Sequence, residues 1–201
     1  MRLPALCLLL ACALPAAAWS QDAPDRPPPL PTRDMTLDAT LDTTDATGAH
    51  PPAGIRIRYN AASHRMRIDT KGRDDYMILD PQGGRTLLVS AAHRAWREQP
   101  FRPAAHAMFM LAASYSFARL AQATVAGLPC TTWNLQGATV GGTTCVTDDG
   151  VVLRLETADT DGDGDDFKLR VVATRVTYAP QPPGDFDLPA GYRRIGPKKT
   201  P

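Results

Sequence analysis

Hydrophobic and polar residues alternate in short runs over the first half of the chain. Apolar residues occupy every second position from Met35 to Leu41, and threonine or aspartate residues lie between them. The alternation returns from Ile55 to Tyr59 and from Arg65 to Asp69, where arginines take most of the polar positions. A period of two residues is typical of a strand with one buried face. The pattern predicts about six short strands, joined by local turns, between residues 33 and 98.

Four arginines lie on polar positions of two of these strands: Arg56, Arg58, Arg65 and Arg67. One interpretation is a basic patch that meets anionic lipid head groups. The other is a set of ion pairs with Asp38, Asp42 and Asp69 on a solvated face. We favour the ion pairs, because opposite charges on neighbouring strands pair readily and each such pair contributes at most about 1 kcal/mol.

The segment from Ala104 to Ala123 breaks the alternation. It follows Pro103, is rich in alanine and contains few polar residues, so it predicts one long helix that is apolar nearly all round. Such a helix requires burial on more than one side. Its simplest role is core packing, and the alternative is that its flexible side chains line a cavity for an apolar ligand. The candidate cavity residues are Met108, Met110, Leu111, Tyr115 and Phe117.

The N-terminus has the pattern of a secretory signal peptide. A single arginine precedes an apolar run, Leu3 to Leu14, that is too short to span a bilayer. We expect cleavage after Ser20, or else after Ala18, which gives a signal peptide of residues 1–20 and a periplasmic or secreted protein. The alternative is an outer-membrane lipoprotein anchored at Cys12, because the residues before Cys12 resemble a lipobox.

The chain that remains is electrically balanced. The signal peptide contains one basic residue and no acidic one, so the totals of 22 basic and 21 acidic residues become equal. A balanced charge argues against nucleic acid as a partner, and no later segment is apolar enough to be transmembrane. Prolines dominate residues 21–32, which we expect to form an extended linker. Residues 33–193 are long enough for a single β-rich domain, and residues 194–201 are predicted to be a disordered basic tail.

Two strand-like segments of this domain carry one cysteine each. Cys130 and Cys145 are the only cysteines left after removal of the signal peptide, and they lie opposite each other if a turn is centred near Gly137. We expect a disulfide between them, because the chain is exported. A redox-active pair is the alternative, but no C-x-x-C spacing and no adjacent basic residue lowers a thiol pKa.

Residues 159–166 include five aspartates. Asp159, Asp161 and Asp163 match the opening of a calcium-binding loop. The match then ends, because Arg170 occupies the position of the expected glutamate and no apolar helical pattern follows. We interpret the segment as an exposed turn, with a weak divalent-cation site at the three aspartates as the alternative.

The sequence contains no catalytic motif. Neither G-x-S-x-G nor H-E-x-x-H is present, and the glycine pairs lie where hairpin turns require them. Asp74 and Asp75 would face opposite sides of a strand and therefore cannot share a proton. His106 and Met110 lie one helical turn apart, which aligns too few ligands for copper. We predict no enzyme activity and no cofactor.

The order of these motifs resembles a family of bacterial exported domains of unknown function. The resemblance covers most of residues 33–193, and its most specific part is Cys130, Trp133 and Cys145 followed by Asp149-Gly150. That family is in turn similar to the lipoprotein-carrier superfamily (LolA/LolB-like). This resemblance implies a curved antiparallel half-barrel with helices over an apolar concave face that takes lipid acyl chains, and it implies no catalytic residues.

We therefore predict a mainly β fold. It consists of a curved antiparallel sheet of the half-barrel, LolA-like type with one long apolar helix packed on the concave face. The predicted function is that of a non-enzymatic periplasmic binding or carrier protein for an apolar or lipid ligand. A structural or protein-interaction module of the cell envelope is the alternative, and a weak divalent-cation-binding module is a further one.

Overall fold

The computed structural model describes residues 26–102, 110–159 and 167–196. Strands make up most of these residues, and the described ranges contain no α-helix. The strands are β1 (Met35–Asp45), β2 (Gly48–Ala49), β3 (Ala53–Asn60), β4 (Arg65–Thr70), β5 (Asp75–Asp80), β6 (Arg85–Ser90), β7 (Ala95–Pro100), β8 (Ser116–Val125), β9 (Leu128–Gln136), β10 (Val140–Val146), β11 (Val152–Asp159), β12 (Lys168–Thr177) and β13 (Arg193–Arg194). A short 3-10 helix covers Pro183–Phe186. Within the described ranges, no helical segment has the length and apolar character that crossing a membrane requires.

All strands belong to one sheet. Its order is β13-β7-β6-β5-β4-β3-β1-β12-β11-β10-β9-β8, with β2 paired to β1 at the side. Consecutive strands are neighbours within each half, β3–β7 and β8–β12, and the pairing of β1 with β12 joins the halves. Every pair is antiparallel except β13 with β7. Hydrogen bonds between neighbouring strands therefore run continuously from one half to the other.

The sheet is strongly curved. Cα atoms of β8 and β12 come within 8 Å of each other, although three strands lie between them in the sheet order. In a flat sheet these two strands would be about 19 Å apart, since neighbours are separated by about 4.8 Å. The mainly β class and the curved antiparallel sheet are thus as predicted.

The core lies on the face that the alternation predicts to be buried. Leu37, Ile57 and Ile68 belong to one buried cluster, which continues to Leu155 and Val171 in the other half of the sheet. We call the side of β3–β7 that carries Ile57 and Ile68 the core face, and the opposite side the outer face. The curvature allows both halves of the sheet to contribute to a single core.

The predicted helix over residues 104–123 is wrong. Residues 110–115 form a bend and a turn, Ser116–Val125 form β8, and residues 103–109 lie outside the described ranges. β8 pairs with β9, and the connecting residues Ala126 and Gly127 both have positive φ, 51° and 77°. Positive φ at both central positions is typical of a type I′ hairpin turn. Helix propensities differ by only about 0.5 kcal/mol per residue, so pairing with β9 overrides the preference of the alanines.

The outer face carries the four arginines, and each of them is paired with an aspartate. The pairs are Arg56–Asp38, Arg58–Asp69, Arg67–Asp69 and Arg65–Asp80. The hydrogen bond from Arg56 lowers the pKa of Asp38. Pairing with Asp38 and Asp69 is therefore confirmed, whereas Asp42 pairs with Arg170 instead.

The C-terminal segment covers part of this outer face. Arg58 donates a hydrogen bond to the Asp185 carboxylate (2.8 Å), and Arg67 donates one to the backbone carbonyl of Asp185 (3.3 Å). The next residue, Phe186, is 2% exposed. Ile78 and Leu87, which the register places on the outer face, are buried as well. Apolar side chains are thus buried on this face too, where a solvated surface was expected.

The residues predicted as a linker lie partly against the domain. We call residues 26–32 the N-terminal strap. The backbone N–H of Thr32 donates to the carbonyl of Asp149 at 2.9 Å. Leu30 packs against the core, and two prolines of the strap are buried. The backbone N–H of Leu111 also donates to the carbonyl of Pro29 at 3.3 Å. The strap is therefore bound to the domain by apolar burial and by two backbone hydrogen bonds.

Removal of the strap is expected to lower the stability of the domain. A chain that starts at Arg33 should unfold with a free energy about 3 kcal/mol lower than a chain that starts at Arg26, because the apolar burial of the strap and two backbone hydrogen bonds are lost. Urea denaturation of both chains measures the difference. Equal midpoints and slopes would show that the strap only rests on the surface.

Candidate functional site

A groove opens on the core face of β4–β7. We call it the β4–β7 groove, and its volume is about 450 Å³. Its floor is a row of residues that the strand register places side by side: Ile68, Met77, Leu88 and Arg97. Ile68 is 5% exposed and belongs to the core, whereas Met77 and Leu88 are only half-buried. The groove is therefore a continuation of the hydrophobic core that reaches solvent.

A polar row borders this apolar floor. Asp75 and Ser90 are paired residues of β5 and β6, and Thr70 lies beside them at the end of β4. His93 comes from the loop between β6 and β7, and Arg97 ends the floor at β7. All five side chains are at least partly exposed. The groove thus combines an apolar floor with a polar and charged rim.

The charged rim residues differ from the charged residues of the outer face. Asp75 and Arg97 form no ion pair or side-chain hydrogen bond with any residue in the described ranges. On the outer face, in contrast, Arg58 binds both Asp69 and Asp185 at 2.8 Å. The charges of the rim therefore stay available for a bound molecule.

The far wall of the groove is formed by the end of the chain. The backbone N–H of Ile195 donates to the carbonyl of Trp96 (2.8 Å), which extends the parallel pairing of β13 with β7. The side chain of Ile195 is partly exposed and lines the groove. Residues 194–196, which belong to the predicted tail, thus run along β7, while residues 197–201 lie outside the described ranges.

Contacts behind the groove hold its strands in place. Arg67 stacks on the ring of Tyr76, with its guanidinium carbon 3.7 Å from the ring centre. Burial raises the pKa of the Tyr76 hydroxyl. Asp80 accepts hydrogen bonds from the backbone of Gly83 (2.8 Å) and from Arg85 (3.0 Å), which fixes the turn between β5 and β6. The groove is therefore built on supported strands, as a preformed binding site requires.

A second depression, of about 510 Å³, lies at the ends of β10, β11 and β12. Among the described residues that line it, only Ala158 and Leu169 have apolar side chains, and Arg170 binds Glu156 (3.1 Å) and Asp42 (3.4 Å). Two glycines, Gly141 and Gly142, also line it. Despite its larger volume, this depression offers few apolar side chains, and of its charged side chains Asp42, Glu156 and Arg170 are already paired with one another. The β4–β7 groove is the better candidate for an apolar ligand.

The residues predicted to line a ligand cavity are divided between two clusters. Met110 belongs to the main core, whereas Leu111, Tyr115 and Phe117 belong to a second cluster around Trp133. None of these four lines the β4–β7 groove. Met108 lies outside the described ranges, so a cavity that includes it stays a prediction.

The predicted cation site also falls largely outside the described ranges. Asp161 and Asp163 are not described, and Asp159 is described only as the last residue of β11. Elsewhere in the described ranges, no group of three or more histidine, cysteine, aspartate or glutamate residues is arranged to hold a metal ion. Calcium binding by the aspartate-rich segment therefore stays a prediction.

Cys130 and Cys145 form a disulfide, as predicted, with their Cα atoms 5.5 Å apart. Their relative position differs from the prediction. Cys145 pairs with Thr132 in the ladder between β9 and β10, so the two cysteines are diagonal neighbours on one face. The difference arises because the loop between these strands is centred one residue later than Gly137. The bridge lies at the opposite half of the sheet from the groove.

Sequence reasoning missed the groove, although it placed the strands that form it. The apolar residues of β5 and β6 occupy consecutive positions, such as Ile78 with Leu79 and Leu87 with Leu88, so their alternation does not reveal which residues face the core. A usable signal was present in β4, where Ile68 alternates cleanly with arginines. Extending that face to Met77 requires the register, which the sequence does not supply.

Comparisons with known proteins concern the fold. Comparison with protein-family models gives no match, and neither does comparison with curated proteins. Among solved structures, the chain is similar to an uncharacterized conserved protein from Thermus thermophilus, with 7% identity over 83% of this chain and 91% of that one and a TM-score of 0.51. At this identity the similarity shows a shared fold alone.

Two further solved structures are similar at lower scores. A LolA superfamily protein from Nitrosomonas europaea has 9% identity over 79% of this chain and 92% of that one, with a TM-score of 0.43. The MucA/MucB complex of Pseudomonas aeruginosa matches with 16% identity over 78% of this chain, 56% of that chain and a TM-score of 0.47. Both TM-scores are below 0.5, and neither similarity assigns this chain to a superfamily.

Proposed function

We propose that the protein is a non-enzymatic binding or carrier protein of the bacterial cell envelope that holds an apolar or lipid ligand in the β4–β7 groove. The observation that carries this proposal is the open extension of the core at Met77 and Leu88. An apolar chain placed there would remove both side chains from water and continue the packing of Ile68. The signal-peptide pattern and the disulfide support a periplasmic location.

The size and chemistry of the groove fit this role. Ligand pockets commonly enclose about 300–1,000 Å³ and combine apolar walls with a few polar groups. Each buried methylene of a ligand contributes about 0.8 kcal/mol, so a chain of about ten methylenes would gain about 8 kcal/mol before the cost of immobilisation. This gain is sufficient for reversible binding, which is what a carrier needs in order to release its ligand.

The substitution Leu88→Glu tests the proposal, because Leu88 lies on the floor but is not part of the buried core. We expect it to weaken binding of a fluorescent fatty acid by about tenfold or more. The new carboxylate would lie beside Arg97 on the floor, and an apolar chain would have to bury either the carboxylate or the ion pair that it forms with Arg97. The matched control is Leu120→Glu, which changes a side chain that is 55% exposed on β8. This control should bind as the wild type does.

Two measurements complete the test. Circular dichroism and thermal melting should show that both variants remain folded, and extraction of protein purified from its own periplasm should yield a co-purified lipid. If the wild type shows no saturable binding of the fluorescent fatty acid, or if Leu88→Glu binds it as tightly as Leu120→Glu does, the proposal is wrong.

The alternative function, a protein-interaction module, has one structural feature in its favour. β8 ends the sheet order, and in the described ranges it pairs only with β9. Its ten residues carry a single charge, at Arg119, and expose Leu120. An extended segment of another envelope protein can add to such an edge. A photo-reactive residue at position 120 should then give one discrete cross-linked product in cells, whereas the same residue at the exposed position 134 of β9 should not.

A further inference from the structure

We infer that the ligand of the β4–β7 groove is an amphiphile whose head group carries both a positive and a negative charge. This inference rests on the proposed function, because it requires that the groove hold the apolar part of the molecule. It goes further by assigning the head group to two rim residues, Asp75 and Arg97. These two residues have opposite charges and lie on the same face as the apolar floor.

The strand register sets the separation of the two charges. Asp75 pairs with Ser90, Ser90 pairs with Ala95, and Arg97 follows two residues later on β7. Two strand spacings and two residues along a strand place the Cα atoms of Asp75 and Arg97 about 12 Å apart. Both side chains are exposed, and the arginine is long and flexible. The side chains of Asp75 and Arg97 can therefore both contact a head group that lies between them.

The two charges are free of competing partners in the described ranges. Neither Asp75 nor Arg97 forms an ion pair there, although the arginines on the outer face of the neighbouring strands are paired. A ligand thus gains a charge-assisted hydrogen bond from each without breaking an existing pair. Thr70 and Ser90 add hydroxyl groups, and His93 adds an imidazole at the same rim.

Head groups of any other charge pair less completely with Asp75 and Arg97. A purely anionic head group would pair with Arg97 but approach the carboxylate of Asp75, and a purely cationic one would pair with Asp75 but approach Arg97. A neutral head group would leave both charges without a partner. A zwitterionic head group, such as phosphoethanolamine, pairs with both.

The test compares three lipids that share the same acyl chains and differ in the head group: phosphoethanolamine, phosphoglycerol and the uncharged diacylglycerol. Each lipid competes with a fluorescent fatty acid for the full mature protein. We expect the wild type to bind the phosphoethanolamine lipid about tenfold more tightly than either of the others. Tenfold corresponds to about 1.4 kcal/mol at 25 °C.

Two substitutions test whether Asp75 binds the positive charge of the head group and Arg97 the negative one. Asp75→Asn should remove the preference for phosphoethanolamine over phosphoglycerol, because it removes the partner of the amine. Arg97→Gln should weaken binding of both phospholipids about fivefold or more and leave the diacylglycerol unchanged, because it removes the partner of the phosphate. The control is Asp74→Asn, which changes an exposed neighbouring carboxylate that does not line the groove. This control should bind all three lipids as the wild type does.

The outcomes separate the two claims. Equal affinity of the wild type for the three lipids, a preference for phosphoglycerol, or unchanged preferences in Asp75→Asn and Arg97→Gln would overturn the assignment of the head group and leave the groove as an apolar site. If the fluorescent fatty acid binds but none of the three lipids displaces it, the assignment of the head group is likewise overturned. If that fatty acid does not bind at all, the proposed function itself fails.

Discussion

Phe186→Ala is expected to lower the free energy of unfolding by about 3 to 4 kcal/mol. Phe186 is 2% exposed, although it lies in a short 3-10 helix near the end of the chain. Truncation of a buried phenylalanine to alanine removes its transfer free energy and leaves a cavity, which together cost about 3–5 kcal/mol. We choose the lower part of this range, because a short surface segment is able to relax into part of the cavity.

Two matched variants distinguish packing from other effects at this segment. Phe186→Leu keeps most of the apolar volume and should cost about 1 kcal/mol. Asp187→Ala removes an exposed ion pair with Arg65 (3.3 Å) and should change the stability by less than about 0.5 kcal/mol. Urea denaturation measures all three. A Phe186→Ala protein within about 0.5 kcal/mol of the wild type, a limit set by ordinary surface substitutions, would show that the segment is not part of the packed structure.

The strands of the first half were predictable because each has one buried face. From Met35 to Leu41 in β1 and from Ile55 to Tyr59 in β3, every second residue is apolar, and the residues between them are threonine, aspartate or arginine. Burial of one face thus produces an alternation of apolar and polar residues that is visible in the sequence. The same argument explains why the outer face was only partly anticipated. The ion pairs between neighbouring strands follow from alternation. The contact of the C-terminal segment with this face, by contrast, joins Arg58 to Asp185, residues more than a hundred positions apart.

The segment before β9 shows where local reasoning fails. Residues 116–125 contain several alanines and no clean alternation, a composition that favours a helix. Their structure is decided by pairing with β9, and so by a partner outside the segment. The turn Ala126-Gly127 was the available signal, since glycine at the second position of a two-residue loop favours a hairpin. Weak intrinsic preferences of this kind are readily overridden by tertiary contacts.

The candidate site was the least predictable feature, for a geometric reason. The sequence predicts that Asp74 and Asp75 point to opposite sides if they lie in a strand, but β5 begins only at Asp75. Whether Asp75 shares a face with Arg97 depends on the registers of β5 with β6 and of β6 with β7. A slip of one residue in either register would move one of them to the outer face. A site built from three strands therefore becomes visible only in the folded sheet.

Replacement of both Cys130 and Cys145 by alanine is expected to lower the free energy of unfolding by about 3 kcal/mol. The bridge joins residues 15 positions apart. Removing a cross-link that closes a loop of about this length costs about 3 kcal/mol, mainly because the entropy of the unfolded chain increases. Both side chains are buried, so alanine avoids the additional cost of burying a hydroxyl without a partner. The single variant Cys145→Ser, which leaves a free thiol as well as a buried hydroxyl, should be less stable still.

The bridge should nevertheless leave ligand binding unchanged. Cys130 and Cys145 join β9 to β10, and four strands separate β10 from β4 at the edge of the groove. The affinity of the folded double variant for the fluorescent fatty acid should therefore equal that of the wild type, whereas its urea midpoint should fall. Unfolding of the wild type under a reducing agent should show the same fall, because the bridge constrains the unfolded chain. The opposite combination, unchanged stability with lost binding, would assign the cysteines a role in function and contradict their role as a brace of the second half of the sheet.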